Sequence, residues 1–171
     1  IGARVKDGSG RVFALSNNHV YANQNEANPG DNVLQPGTYD GGVDPADAIG
    51  TLYAYQPIDF TLSGVNYIDA AIALSSTDLL GNSTPPDDMY GRVGYGTPSS
   101  ITQAASIGLP VKKYGRTPGM PHGEVGAINV YVEVCYEQFW ILCIKSAYFY
   151  DQIQISPAGF SGGGDSGSLI V

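Results

Sequence analysis

Short runs in which apolar and polar side chains alternate recur along most of the chain, and a two-residue period predicts half-buried β-strands. IGARVK, from Ile1 to Lys6, meets RVFALSNNHV across the turn string DGSG. Further on, INVYVEV puts Ile128, Val130, Val132 and Val134 on one face, and DQIQIS repeats the alternation from Asp151 to Ser156. No stretch carries the 3.6-residue apolar period of a long amphipathic helix. The 23 glycines and 11 prolines cut the chain into the short pieces that sandwiches and barrels use, so the pattern predicts an all-β fold.

Two loop-rich passages interrupt the strands, QNEANPGDN through TYDGGVDPADA and GNSTPPDDMYG through YGTPSS. The second is the expected domain boundary, dividing residues 1–94 from residues 95–171. No internal repeat or low-complexity tract stands out in the sequence. With 171 residues, 43% of them hydrophobic, the chain is long enough for one good core or for two small ones sharing a cleft.

Charge narrows the partners. Eight basic against sixteen acidic side chains give a net charge of −8 and a pI near 4.4, so most of the surface would repel a phosphate backbone and no nucleic acid is expected. There is no run of 18 apolar residues, and the opening IGARVKDGSG is too mixed for a signal peptide, so no membrane span is expected either. The acids Asp40, Asp44, Asp47, Asp87 and Asp88 lack the regular spacing of a calcium loop and read as a solvated rim; neither a metal nor another cofactor is expected. Cys135 and Cys143 flank YEQFWIL in a strand–turn–strand pattern. Two readings stay open for them, a hairpin disulfide or two reduced, half-buried thiols, and without clustered histidines they are too few for structural zinc. The disulfide would suggest a secreted or cell-envelope protein.

One constellation carries chemistry. A serine hydroxyl is a weak nucleophile and needs a base within reach, a group that orients the base, and donors for the oxyanion that forms. Ser166 lies in GDSGS, where flanking glycines permit a tight turn that aims the N–H groups of Gly164 and Ser166 at one point. Of the two histidines, His19 ends the apolar run VFALSNNHVYA and is the better base, whereas His122 lies in the loop string GMPHGEV. Asp69 in YIDAAIAL stands at the head of an apolar strand, as an orienting carboxylate should; Asp59 in PIDFTL has similar surroundings and remains a rival.

The order His, Asp, Ser and the three local contexts together resemble the chymotrypsin-like serine peptidases. ALSNNHVYA looks like that family's strand and histidine, with Asn17 and Asn18 where alanines are usual; IDAAIAL is similar to its aspartate segment, and GGGDSGSLIV to its nucleophile loop. KKYGRTPGMPHGEVGAINV resembles the segment that opens the second barrel in bacterial members. The resemblance implies two antiparallel β-barrels with a triad of His19, Asp69 and Ser166 in the shared cleft, and an oxyanion hole of Gly164 and Ser166. It also implies an ion pair between Arg116 and Asp165 that holds the oxyanion loop, and a substrate pocket lined by Phe160, Ser161, Gly162 and Gly163. With Phe160 at the pocket base in place of a carboxylate, trypsin-like cleavage after Lys or Arg is not expected.

The implied activity is serine endopeptidase action on a polypeptide substrate through an acyl-enzyme. Members of the family continue well past the nucleophile, so the second barrel is expected to be incomplete at the C-terminus, and the remaining C-terminal segment of the chain is an expected partner. The tail of a trimmed second barrel would leave activity in doubt. The alternative is a peptidase-like module that binds peptides or proteins without cutting them. An esterase elbow is disfavoured because GGGDSGS lacks the G-x-S-x-G pattern.

Overall fold

The computed structural model describes residues 1–85, 91, 93–116 and 120–171. Strands β1 (Ala3–Lys6) and β2 (Val12–Ser16) form the first hairpin. Asp7 fastens its turn: Oδ1 accepts from the backbone N–H groups of Ser9 and Arg11 at 3.0 Å each, and Oδ2 accepts from Arg11 Nε at 2.7 Å. The Ser9 hydroxyl and the Arg11 guanidinium, both donating to it, lower the Asp7 carboxyl to about 2.

Strand β2 stops at Ser16, short of His19. Asn18–Tyr21 instead makes a single helical turn, α1, with Asn17 in extended conformation before it. Strands β3 (Asn32–Leu34), β4 (Ala48–Tyr55) and β5 (Ala71–Ser75) complete an antiparallel sheet in the order β1-β2-β5-β4-β3. Strand β2 lies between two neighbours and is buried along most of its length, which accounts for its nearly continuous apolar sequence. The core under this sheet gathers Val12, Ala14, Val33, Leu52, Ala71 and Ala73 with Tyr21 of α1 and Leu80.

A second sheet has the order β6-β7-β8, with β6 at Pro110–Lys112, β7 at His122–Phe139 and β8 at Leu142–Ser156. It is dominated by the long β7–β8 hairpin, which turns at Trp140 and Ile141. The single apolar face predicted for Ile128 to Val134 does not hold. Asn129 adopts a left-handed φ of 57°, the register shifts on both sides of Val130, and Ile128 and Val132 are exposed while Val134 packs on Ile58, Ala147 and Phe149. Each slip of register carries the following side chains to the other face.

The architecture is therefore all-β and antiparallel, built as two open sheets; no closed barrel is found among the described residues. The sheets meet where the 56–69 segment lies along β8. Asn66 donates its N–H to the Tyr148 carbonyl at 3.2 Å and accepts from Tyr150 N–H at 2.9 Å, and Ile58 is buried against Ala147 and Phe149. Burying side chains of this size stabilises the join by roughly 2 kcal/mol each. Among the described residues, no helix is long and apolar enough to cross a membrane.

Candidate active site

His19 reaches Asp69 twice. Its backbone N–H donates to Oδ1 at 3.2 Å, and its ring Nδ1 lies 2.5 Å from Oδ2. The rings and carboxylate are partly withdrawn from water, with side-chain exposures of 29% for His19 and 13% for Asp69. Burial pushes the Asp69 carboxyl up, but the hydrogen bond and charge of His19, aided by Tyr136, outweigh it and leave the group below its ordinary value. The arrangement fixes which imidazole nitrogen faces Asp69 and leaves Nε2 on the far side of the ring.

Two asparagines, Asn17 and Asn18, build this geometry. Asn17 makes no side-chain cap on α1; its amide donates instead to the Asp69 carbonyl at 2.7 Å. Asn18 is fully buried and donates to Asn25 Oδ1 and to the Gln56 carbonyl at 2.7 Å each, while its own Oδ1 accepts from Asn25 N–H at 3.1 Å. Asn25 extends the network to both backbone groups of Ile58. The helical turn carrying His19 is thus tied to Asp69 and to the 56–58 stretch upstream of it.

The rivals lie elsewhere. Asp59 turns back on its own loop, accepting from Thr61 N–H at 2.9 Å. His122 opens β7 opposite Lys112 and lines a shallow groove with Glu124 and Pro157.

Asp165 organises the serine loop. Its carboxylate accepts from Gly162 N–H at 2.8 Å and from Lys113 Nζ at 2.6 Å, its N–H donates to Gly162, and its carbonyl accepts from Ser168. Lys113, which the sequence reading passed over, is the buried cation on Asp165; Arg116, half exposed at 48%, holds Asp40 in a fork of hydrogen bonds at 2.6–2.9 Å. Asp40 raises the Arg116 guanidinium above the ordinary value, and Arg116 also feels the charge of Asp165, which helps to raise it. A charge inside the protein needs a partner that is buried with it, and Lys113, directly after β6, bridges Ile170, four residues beyond Ser166. Arg116 still lies against the loop, for a side chain at Gly164 would run into its aliphatic stem.

Gly164 and Gly167 have φ of 88° and 80°, a region that side chains disfavour. Among the described residues no acceptor takes the N–H of Gly164 or of Ser166. Ser166 is exposed at the turn. Gly167 packs so closely on Ser16, three residues before His19, that a methyl group there would collide with the Ser16 hydroxyl. No hydrogen bond joins Ser166 to His19 among the described residues.

Phe160 lies in the core of the second sheet. It is buried with Val111 and Val125, and the Lys113 ammonium lies 5.8 Å from its ring centre, while Ser161, Gly162 and Gly163 are exposed. An apolar ring with apolar neighbours on the second sheet belongs to the core. Cys135 and Cys143 form a disulfide, with Cα atoms 5.8 Å apart. Of the acidic rim, Asp40 is taken by Arg116 and Asp44 accepts from Asn32, Asp47 accepts from Val43 N–H, and Asp87 and Asp88 lie outside the described residues.

Sequence reasoning missed Tyr136. Its hydroxyl donates to Asp69 Oδ2 at 3.1 Å, and its ring meets His19 edge to face at 5.5 Å. In the sequence it reads as one more residue of a strand, with nothing to set it apart from eleven other tyrosines. Compared with protein-family models and with curated proteins, the chain matches none.

Proposed function

We propose that the chain is a serine endopeptidase of the chymotrypsin-like type, with His19 as general base, Asp69 as its orienting carboxylate and Ser166 as nucleophile. The observation that carries the reading is the contact of His19 Nδ1 with Asp69 Oδ2 at 2.5 Å, three residues past Ser16 of β2, on which Gly167 of the serine loop packs. Ser166 Oγ attacks the peptide carbonyl carbon as its proton passes to His19 Nε2, and the oxyanion takes the N–H groups of Gly164 and Ser166. The tetrahedral adduct expels the amine, which leaves with the proton from His19. Water then enters, gives its proton to the same imidazole, and releases the acid and the free serine. The two open sheets are, in this reading, the halves of a two-barrel fold, and the disulfide favours a secreted or cell-envelope setting.

The exposed Ser166, free of a hydrogen bond to His19 among the described residues, favours a second reading, a peptidase-like module that binds polypeptides without cutting them. A fluorophosphonate distinguishes the two. Labelling at Ser166, located by mass spectrometry and abolished by His19→Ala, supports the peptidase; a folded sample that takes no label supports the binding module.

A further inference from the structure

Tyr136 belongs to the second sheet, yet its hydroxyl and ring both lie in the site built by the first. Its O–H donates to Asp69 Oδ2, the oxygen that also faces His19 Nδ1. Among the described residues it is the one donor that the second sheet supplies to Asp69. The ring is held edge-on between His19 at 5.5 Å and Phe60 at 5.3 Å. The nearest cation on β8, Lys145, lies over Phe60 at 4.6 Å and has its charge met by Glu137 at 3.2 Å and Glu26 at 3.9 Å, so the neutral hydroxyl is what reaches the carboxylate.

The hairpin explains how a strand residue comes to point there. Cys143 stands opposite Gln138, three residues beyond Cys135. In a regular ladder, at about 3.4 Å per residue, such a diagonal spans about 10 Å or more, whereas a disulfide needs Cα atoms within about 7 Å. The two Cα atoms are 5.8 Å apart. The ladder gives way between them: its register shifts at Cys135/Glu137 and again at Glu137/Gln138, and Tyr136 and Ile144 drop out of the pairing. The residue released from the ladder is the one that enters the site.

We propose that Tyr136, aimed by the Cys135–Cys143 staple, is a positioning residue that fixes the Asp69 carboxylate and through it the tautomer of His19. The proposal rests on the reading of His19 and Asp69 as base and orienting acid. The hydroxyl holds the carboxylate in the rotation that presents Oδ2 to the imidazole N–H, a rotation that is free to relax once the hydroxyl is gone.

Two-bond proton–nitrogen spectra of the His19 ring, recorded at mildly alkaline pH on the full chain, test this without any turnover. Tyr136→Phe keeps the ring against His19 and Phe60 and removes only the hydroxyl. It is expected to raise the share of the tautomer protonated on Nε2 by about fivefold, the effect of one hydrogen bond. The paired variant Cys135→Ser with Cys143→Ser is expected to do the same, with Tyr136 intact. An unchanged tautomer ratio in Tyr136→Phe overturns the positioning role, and an unchanged ratio in the paired variant overturns the part assigned to the staple. Fluorophosphonate labelling is measured beside it and is expected to slow by about tenfold in Tyr136→Phe. Absence of labelling in the wild type would sink the peptidase reading alone, because the ring spectra still report on Tyr136.

Discussion

Lys113 Nζ lies 2.6 Å from Asp165 Oδ2, and both side chains are almost wholly withdrawn from water, at 2% and 1% exposure. Neither charge tolerates solitude at that depth, so the pair fixes where the 162–165 turn sits on the second sheet. Lys113→Met leaves Asp165 without its buried cation and is expected to destabilise the protein by about 3–5 kcal/mol, read from urea midpoints at neutral pH. Arg116→Ala breaks a half-exposed pair with Asp40 and is expected to move the midpoint far less than Lys113→Met does. The opposite ranking would return the anchoring role to Arg116.

Gly167 offers a test of whether the serine loop and the histidine turn act as one site. Its φ of 80° and its packing on Ser16 leave no place for a methyl group. Gly167→Ala is expected to cost about 1–2 kcal/mol in backbone strain and to push the loop away from β2. A displacement of an ångström costs a reaction about a hundredfold, so the rate of labelling at Ser166 should fall far more than the stability. Equal losses in rate and in folded population would mean that the contact is structural only.

Legibility followed the range of the interaction that decides each feature. The first hairpin and the strand–turn–strand around the cysteines rest on local pattern, and both appear, though β2 stops at Ser16, short of the end of the apolar run. His19 and Asp69 were nominated from short motifs, and the structure brings them into contact. The helical turn at Asn18–Tyr21 is shorter than any helical period can reveal. The face through Ile128 and Val134 was lost to a left-handed Asn129 and its bulges, which alternation does not register. The burial of Lys113 and Phe160 went unread because it is set by partners distant in sequence, Asp165 for the lysine and Val111 and Val125 for the ring. Tyr136 was hidden because its direction depends on a bulge, and the bulge on a disulfide whose formation the sequence left open.

Asp69 gives the fold a defined response to acid. Its folded carboxyl lies below the ordinary value of 3.8, since His19 and Tyr136 together outweigh burial. A depressed carboxyl contributes stability that is fully present above the unfolded value and is lost as pH falls through the lower, folded one. Urea unfolding of wild type and Asp69→Asn should therefore differ most above pH 3.8, and the two should converge as the solution is made more acidic. A gap that stays constant on acidification would show that the folded protein leaves this carboxyl unperturbed.

Asn18 shows why a polar residue can occupy a fully buried place on α1. It is fully buried, and its amide bridges Asn25 Oδ1 and the Gln56 carbonyl. An alanine there removes both donors and an acceptor, stranding a backbone carbonyl and a second asparagine inside the protein. Asn18→Ala is expected to destabilise the fold by about 3 kcal/mol. Asn17, half-buried and donating once, to the Asp69 carbonyl, is expected to cost about 1 kcal/mol on the same change. Thermal unfolding of the two variants reads the difference. Should Asn17→Ala prove the costlier, the tie to Asp69 would outweigh the tie between loops, and α1 would owe its position to the aspartate it serves.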